Sequence, residues 1–119
     1  MVRLLLTLFF STLIPNFAFA EFRAGTALID ITPKSLPVLV NGGMRSRSID
    51  RVKTPIHARS VAFCDGETQM VLIVADTCMM PRDLLDRAKA IASEKGSIPA
   101  DHILIAATHT HTAPSCMGA

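Results

Sequence analysis

His109 and His111 stand two residues apart in the segment Thr108-His109-Thr110-His111-Thr112-Ala113-Pro114. Neutral imidazole is a good zinc ligand and a proton carrier near neutral pH, so this pair suggests a metal site or acid–base chemistry. In extended chain, residues i and i+2 point to the same face, which would aim both rings at one cavity. Thr108 and Thr110, beside and between them, carry hydroxyls suited to fixing the ring tautomers from behind. Asp76 closes another apolar run, residues 70–75, and is expected at the same edge as the imidazoles. Each feature also has a plainer reading. A His-x-His pair can be two loop histidines without a role, and an Asp ending a strand often caps the next turn.

Cys64, Cys78 and Cys116 form no C-x-x-C pair. Two of them could pair, leaving one over. Cys64 and Cys78 lie in apolar contexts and are expected to be small buried hydrophobes. A zinc site built from the cysteines is not expected.

These groups need elements to position them. Residues 103–107, Ile-Leu-Ile-Ala-Ala, are apolar throughout and predict a buried strand that delivers the histidines at its carboxyl end. Residues 70–75 predict another. Between them Pro81 opens a helix, Leu84, Leu85, Ala88, Ile91 and Ala92 recur at three- and four-residue spacing, and Gly96 stops it. Asp83 and Asp86 near its start and Lys95 near its end suit the helix dipole. Strand, helix and strand make a βαβ unit, which is parallel and right-handed in almost all cases. The fold class is therefore α/β, or α+β with a mixed sheet. In such sheets ligands gather beyond the carboxyl ends of the parallel strands, where His109, His111 and Asp76 would lie.

Upstream, Asp65-Gly66 between two apolar runs predicts a hairpin. Residues 21–30 read as a strand ending at Thr32-Pro33, with Asp30 fixing the turn. Residues 34–54 read as a long loop with a short extended piece at 38–40. The loop holds Gly42-Gly43 and the basic residues Arg45, Arg47, Arg51 and Lys53, of which Arg45, Arg47 and Lys53 are expected to be solvated.

The first 20 residues belong to no fold argument. Arg3, the apolar run 4–14, the break at Pro15-Asn16 and the sequence Ala18-Phe19-Ala20 have the form of a signal peptide cleaved after Ala20. The run is short for a membrane anchor and Pro15 interrupts it. The mature part, residues 21–119, is then secreted or periplasmic. The chain has 119 residues and a net charge of +2, which allows one small domain and leaves no basic footprint for nucleic acid.

Five segments together resemble the neutral, non-lysosomal ceramidase family. They are Arg23 through Pro33 (R-A-G-T-A-L-I-D-I-T-P), Asn41-Gly42-Gly43-Met44, Pro55 through Ala62 (P-I-H-A-R-S-V-A), Val74-Ala75-Asp76, and Ala107 through Pro114 (A-T-H-T-H-T-A-P). The resemblance spans nearly all of residues 22–118 and points to a distant bacterial branch, since Ala113 stands where a glycine is usual. It implies that His109 binds the catalytic zinc and that His111 faces the substrate or the developing oxyanion. Asp76, Thr108 and Thr110 would stand behind them. It implies an amide substrate, a small molecule or a lipid, and for the whole enzyme an encounter with a membrane surface.

The remaining ligands of that family, a His, a Glu and a Tyr, come from far downstream. This chain has no tyrosine. The expectation is an N-terminal, truncated part of a larger catalytic domain with an incomplete zinc site. The alternatives are a hydrolase of a different amide or ester on the same scaffold, and a non-catalytic truncated module. The apolar strands would want helices on both faces, and one helix is visible, so the isolated chain is expected to expose apolar surface.

Overall fold

The computed structural model describes residues 21–45 and 47–117. The signal peptide expected at residues 1–20 lies outside them. Six strands and one helix follow in order: β1 (Arg23–Asp30), β2 (Val38–Val40), β3 (Arg47–Ile49), β4 (His57–Cys64), β5 (Gln69–Ala75), α1 (Arg82–Gly96) and β6 (Ile103–Ala107). A 3-10 turn, Ala100–His102, leads into β6.

The main sheet has the order β1-β4-β5-β6. β1 and β4 are antiparallel, β4 and β5 form the hairpin expected around Asp65-Gly66, and β5 runs parallel to β6 through the α1 crossover. The class is α/β with a mixed sheet, as the sequence predicts. The hairpin turn is held by Asp65, whose carboxylate accepts the backbone N–H groups of Thr68 at 2.7 Å and Glu67 at 3.1 Å.

The helix begins one residue later than the sequence suggests. Pro81 is its N-cap, and its carbonyl accepts the N–H of Leu85. This suits proline, which has no N–H to offer. α1 packs against β6 and the 3-10 turn. Ile103 is 2% exposed while Leu104 is 58% exposed, so α1 covers the side of β6 that carries Ile103. The opposite side is open.

Residues 34–54 depart from expectation. The extended piece at Val38–Val40 is present, but β3 pairs with it, Val38 opposite Ile49 and Val40 opposite Arg47. Arg47-Ser48-Ile49 has no apolar alternation to announce a strand; its backbone is extended because it completes the ladder of β2. This small sheet docks past the end of β6. Val40 bridges to Pro114, and the N–H of Ser115 donates to the carbonyl of Leu39 at 2.8 Å. Val40 and Ala113 are consequently among the most buried residues, at 2% and 0% exposure. The histidine segment is thereby held between β6 and the β2–β3 hairpin.

Candidate functional site

β6 ends at Ala107, and the N–H of Thr108 still donates to the carbonyl of Ala75 at 2.9 Å. The chain then leaves extended geometry. His109 has φ 59°, in the left-handed region. The two imidazoles nevertheless share a side, with ring centroids 5.1 Å apart in an edge-to-face arrangement. They meet because the chain turns at His109, not because of strand pleating.

His109 is oriented by the loop after β5. Its Nδ1 lies 2.9 Å from the carbonyl oxygen of Cys78. A carbonyl only accepts, so Nδ1 carries the hydrogen and Nε2 keeps its lone pair. The tautomer is therefore set by a backbone carbonyl and not by a threonine hydroxyl, in contrast to the sequence expectation. The hydroxyls of Thr110 and Thr112 instead hydrogen-bond each other at 3.0 Å.

His111 is placed by the β2–β3 hairpin. Gly42 has φ 94°, and a Cβ at that position would fall 2.3 Å from Cγ of His111. Only glycine lets the imidazole lie this close to the backbone. The Arg47 guanidinium donates to the carbonyl oxygen of His111 at 3.0 Å. Neither residue is recognisable as a partner of His111 from sequence, because the contact requires β3.

Asp76 does not join the imidazoles. It lines a cavity of about 860 Å³ together with Thr110, Thr112, Arg47 and the apolar Val38, Val40 and Ile56. Neither histidine lines this cavity; both rings are exposed beside it. The Asp76 carboxylate accepts the N–H of His57 at 3.0 Å and the Arg59 guanidinium at 2.8 Å. These bonds, the His57 N–H first, hold its carboxyl below the ordinary carboxylate value. Asp76 thus ties the end of β5 to the start of β4.

Cys78 is the residue that sequence reasoning passed over. Its burial follows expectation, at 3% exposure. Its neighbours do not: Sγ lies 4.0 Å from Nδ1 of His109. One donor atom from each of Cys78, His109 and His111 lies within 4.8 Å of the others. All three cysteines are free. His102 is far from this group by topology, at the opposite end of β6, with Nδ1 on the carbonyl of Gln69 at 2.8 Å.

The described residues form an α/β architecture: a mixed sheet, one parallel crossover and a histidine cluster past β6. Among solved structures, neutral ceramidase from Pseudomonas aeruginosa contains a segment of this fold, with a TM-score of 0.62 and 22% identity. The match covers 79% of this chain and 16% of that one, so the chain spans a small share of the ceramidase. At that identity the likeness establishes a ceramidase-like fold. No family model and no curated protein matches the chain.

Proposed function

We propose that this chain carries the first metal-binding segment of a zinc-dependent amide hydrolase similar to neutral ceramidase, exported by the leader at residues 1–20. The observation that carries the reading is the Nδ1–H of His109 on the Cys78 carbonyl. A ring pinned in this way presents Nε2 in a fixed direction, the usual arrangement of a metal-ligating histidine. The donors present fit the ion. Imidazole is a zinc ligand, and His109 offers its Nε2 lone pair for one, with His111 beside it.

Zinc, when bound, supplies a Lewis acid and an activated water for attack on an amide carbonyl. The chain's own residues have the remaining tasks. His109 holds its lone pair in place. His111, braced by Gly42 and Arg47, directs a ring N–H to where negative charge develops on the carbonyl oxygen. The cavity of about 860 Å³ beside the imidazoles mixes apolar walls from Val38, Val40 and Ile56 with the charged Arg47, Arg51 and Asp76 and the hydroxyls of Thr110 and Thr112, and its size suits a small-molecule or lipid amide. A lipid substrate would be met at a membrane surface.

The test is hydrolysis of an N-acylsphingosine and of a simple ester by the longest product of this reading frame, with and without a metal chelator. Chelation and His109→Ala should each abolish turnover. His111→Ala should lower kcat by about 10²–10³, as removal of an oxyanion donor does elsewhere. Turnover that survives His109→Ala would overturn the assignment.

A further inference from the structure

We propose that the amide cleaved at this site is acidic: an amide whose amine half bears an anionic group, a carboxylate or a phosphate, held by Arg51 and Lys53 in the cavity beside the imidazoles. This rests on the reading of the chain as part of an amide hydrolase and names the substrate class of that same site.

The charge of the cavity wall carries it. Arg47, Arg51 and Lys53 all line the cavity, against the carboxylates of Asp50 and Asp76. Asp76 is already taken: its oxygens accept the Arg59 guanidinium at 2.8 and 2.9 Å. The other ion pairs among the described residues are Arg82 with Asp86 and Arg87 with Asp83, both within α1. Arg47, Arg51 and Lys53 therefore have no carboxylate partner there, and Asp50 is the one lining carboxylate left to balance three cations. Arg47 spends a donor on the His111 carbonyl, which is neutral and leaves its positive charge uncompensated. A concave wall with this surplus concentrates positive potential and favours an anion.

The position of the cavity ties that anion to the chemistry. Thr110 and Thr112 line it, and His111 stands between them in the chain. The β2–β3 hairpin supplies Arg47, and the segment that follows it supplies Arg51 and Lys53, so the element that braces His111 also leads into the cationic wall. Leu36, Val38 and Ile56 give the same cavity an apolar part that suits an acyl chain, which leaves the amine half of the amide to carry the charge. The Arg51 guanidinium offers a planar fork matched to a carboxylate or phosphate, and Lys53 adds a compact charge. In the reaction water adds its oxygen to the acyl carbon, the C–N bond breaks and the nitrogen takes a proton. The products are a fatty or other carboxylic acid and an amine that keeps the anionic group.

The experiment compares three amides of one acyl chain on the longest product of this reading frame: N-octanoylglycine, N-octanoylethanolamine phosphate and the neutral N-octanoylethanolamine. The expected result is a kcat/KM at least about tenfold higher for one or both acids, as a charged hydrogen bond supplies, and the better of the two names the anionic group. That preference should shrink as ionic strength rises, because exposed charges are screened. Arg51→Gln with Lys53→Gln should lower kcat/KM for the preferred acid about tenfold more than for the neutral amide. Calorimetry in the presence of a chelator reads the same discrimination as binding, without turnover. Equal kcat/KM for all three amides overturns the acidic substrate and leaves the hydrolase reading standing. A preference for an acid that survives both salt and the double substitution overturns the role of Arg51 and Lys53. Selective binding of an acid in chelator, with no amide turned over at any metal level, sinks the hydrolase reading and leaves the anion pocket.

Discussion

Gly42 and His111 illustrate how much a single close approach decides. The ring occupies the place where a Cβ on residue 42 would be, and φ 94° already disfavours any side chain there. Gly42→Ala should therefore move the imidazole or the loop. The expected cost is about 1–3 kcal/mol from crowding, with the His111 ring resonances displaced in the NMR spectrum and those of His102 unchanged. A spectrum with His111 undisturbed would show that the hairpin does not set the ring. Asp76 gives a prediction in pH. Its carboxyl is held low by the His57 N–H and the Arg59 guanidinium, so the folded state binds that proton less readily than the unfolded one. The resulting stability is complete above the unfolded carboxylate value near 4 and is lost as pH falls through the lower folded value. Asp76→Asn should flatten that acid dependence and cost about 1–2 kcal/mol at neutral pH, as loss of a charged hydrogen bond does. Denaturant melts at pH 7 and pH 3 measure both effects. At this scale the sequence was partly legible. The type and spacing of His109 and His111 drew attention to the right segment. Cys78 read as a buried hydrophobe, which it is, and nothing in its spacing announced that the loop after β5 folds against His109.

The elements were more legible than the contacts between them. β5 and β6 announce themselves by apolar runs, β4 by the turn signal Asp65-Gly66 that follows it, and α1 by its three- and four-residue spacing. The extended piece at Val38–Val40 was visible, but its partner Arg47–Ile49 was not, because a strand made of Arg, Ser and Ile exists only through pairing. That unread strand is the one that carries Arg47 to His111. Correct elements with one missing pairing thus leave the site half described. The end of α1 offers a test of local chemistry. Ser97 closes the helix with φ 52°, where glycine is the favoured residue. Ser97→Gly should stabilise the chain by about 0.5–1 kcal/mol through relief of left-handed strain. A higher denaturation midpoint with unchanged slope is the expected outcome. An unchanged or lower midpoint would place the strain elsewhere.

For the molecule as a whole, the sheet has one protected side. α1 covers the face with Ile103, and none of its own residues is fully buried. On the other face the cross-strand register aligns Leu28 with Arg59 and Val74, and Leu104 with Leu72 and Val61. Leu28 is 63% exposed, Leu104 58%, Met70 47% and Val74 38%. Strands as apolar as β5 and β6 are ordinarily covered on both faces, and exposed apolar surface of this kind, interrupted at Arg59, promotes association. Among the described residues β6 is also an edge of the sheet, with backbone groups free to pair with another chain. The chain should therefore self-associate and bind a dye that reports exposed apolar surface. Leu104→Lys places a charge at the middle of that edge on the open face. Because Leu104 is already more than half exposed, the substitution should change stability by no more than about 0.5 kcal/mol. It should nonetheless reduce light scattering and dye binding together, while Ile103→Lys, on the covered side, should unfold the chain. If Leu104→Lys leaves association untouched, the open face of the sheet is not what drives it.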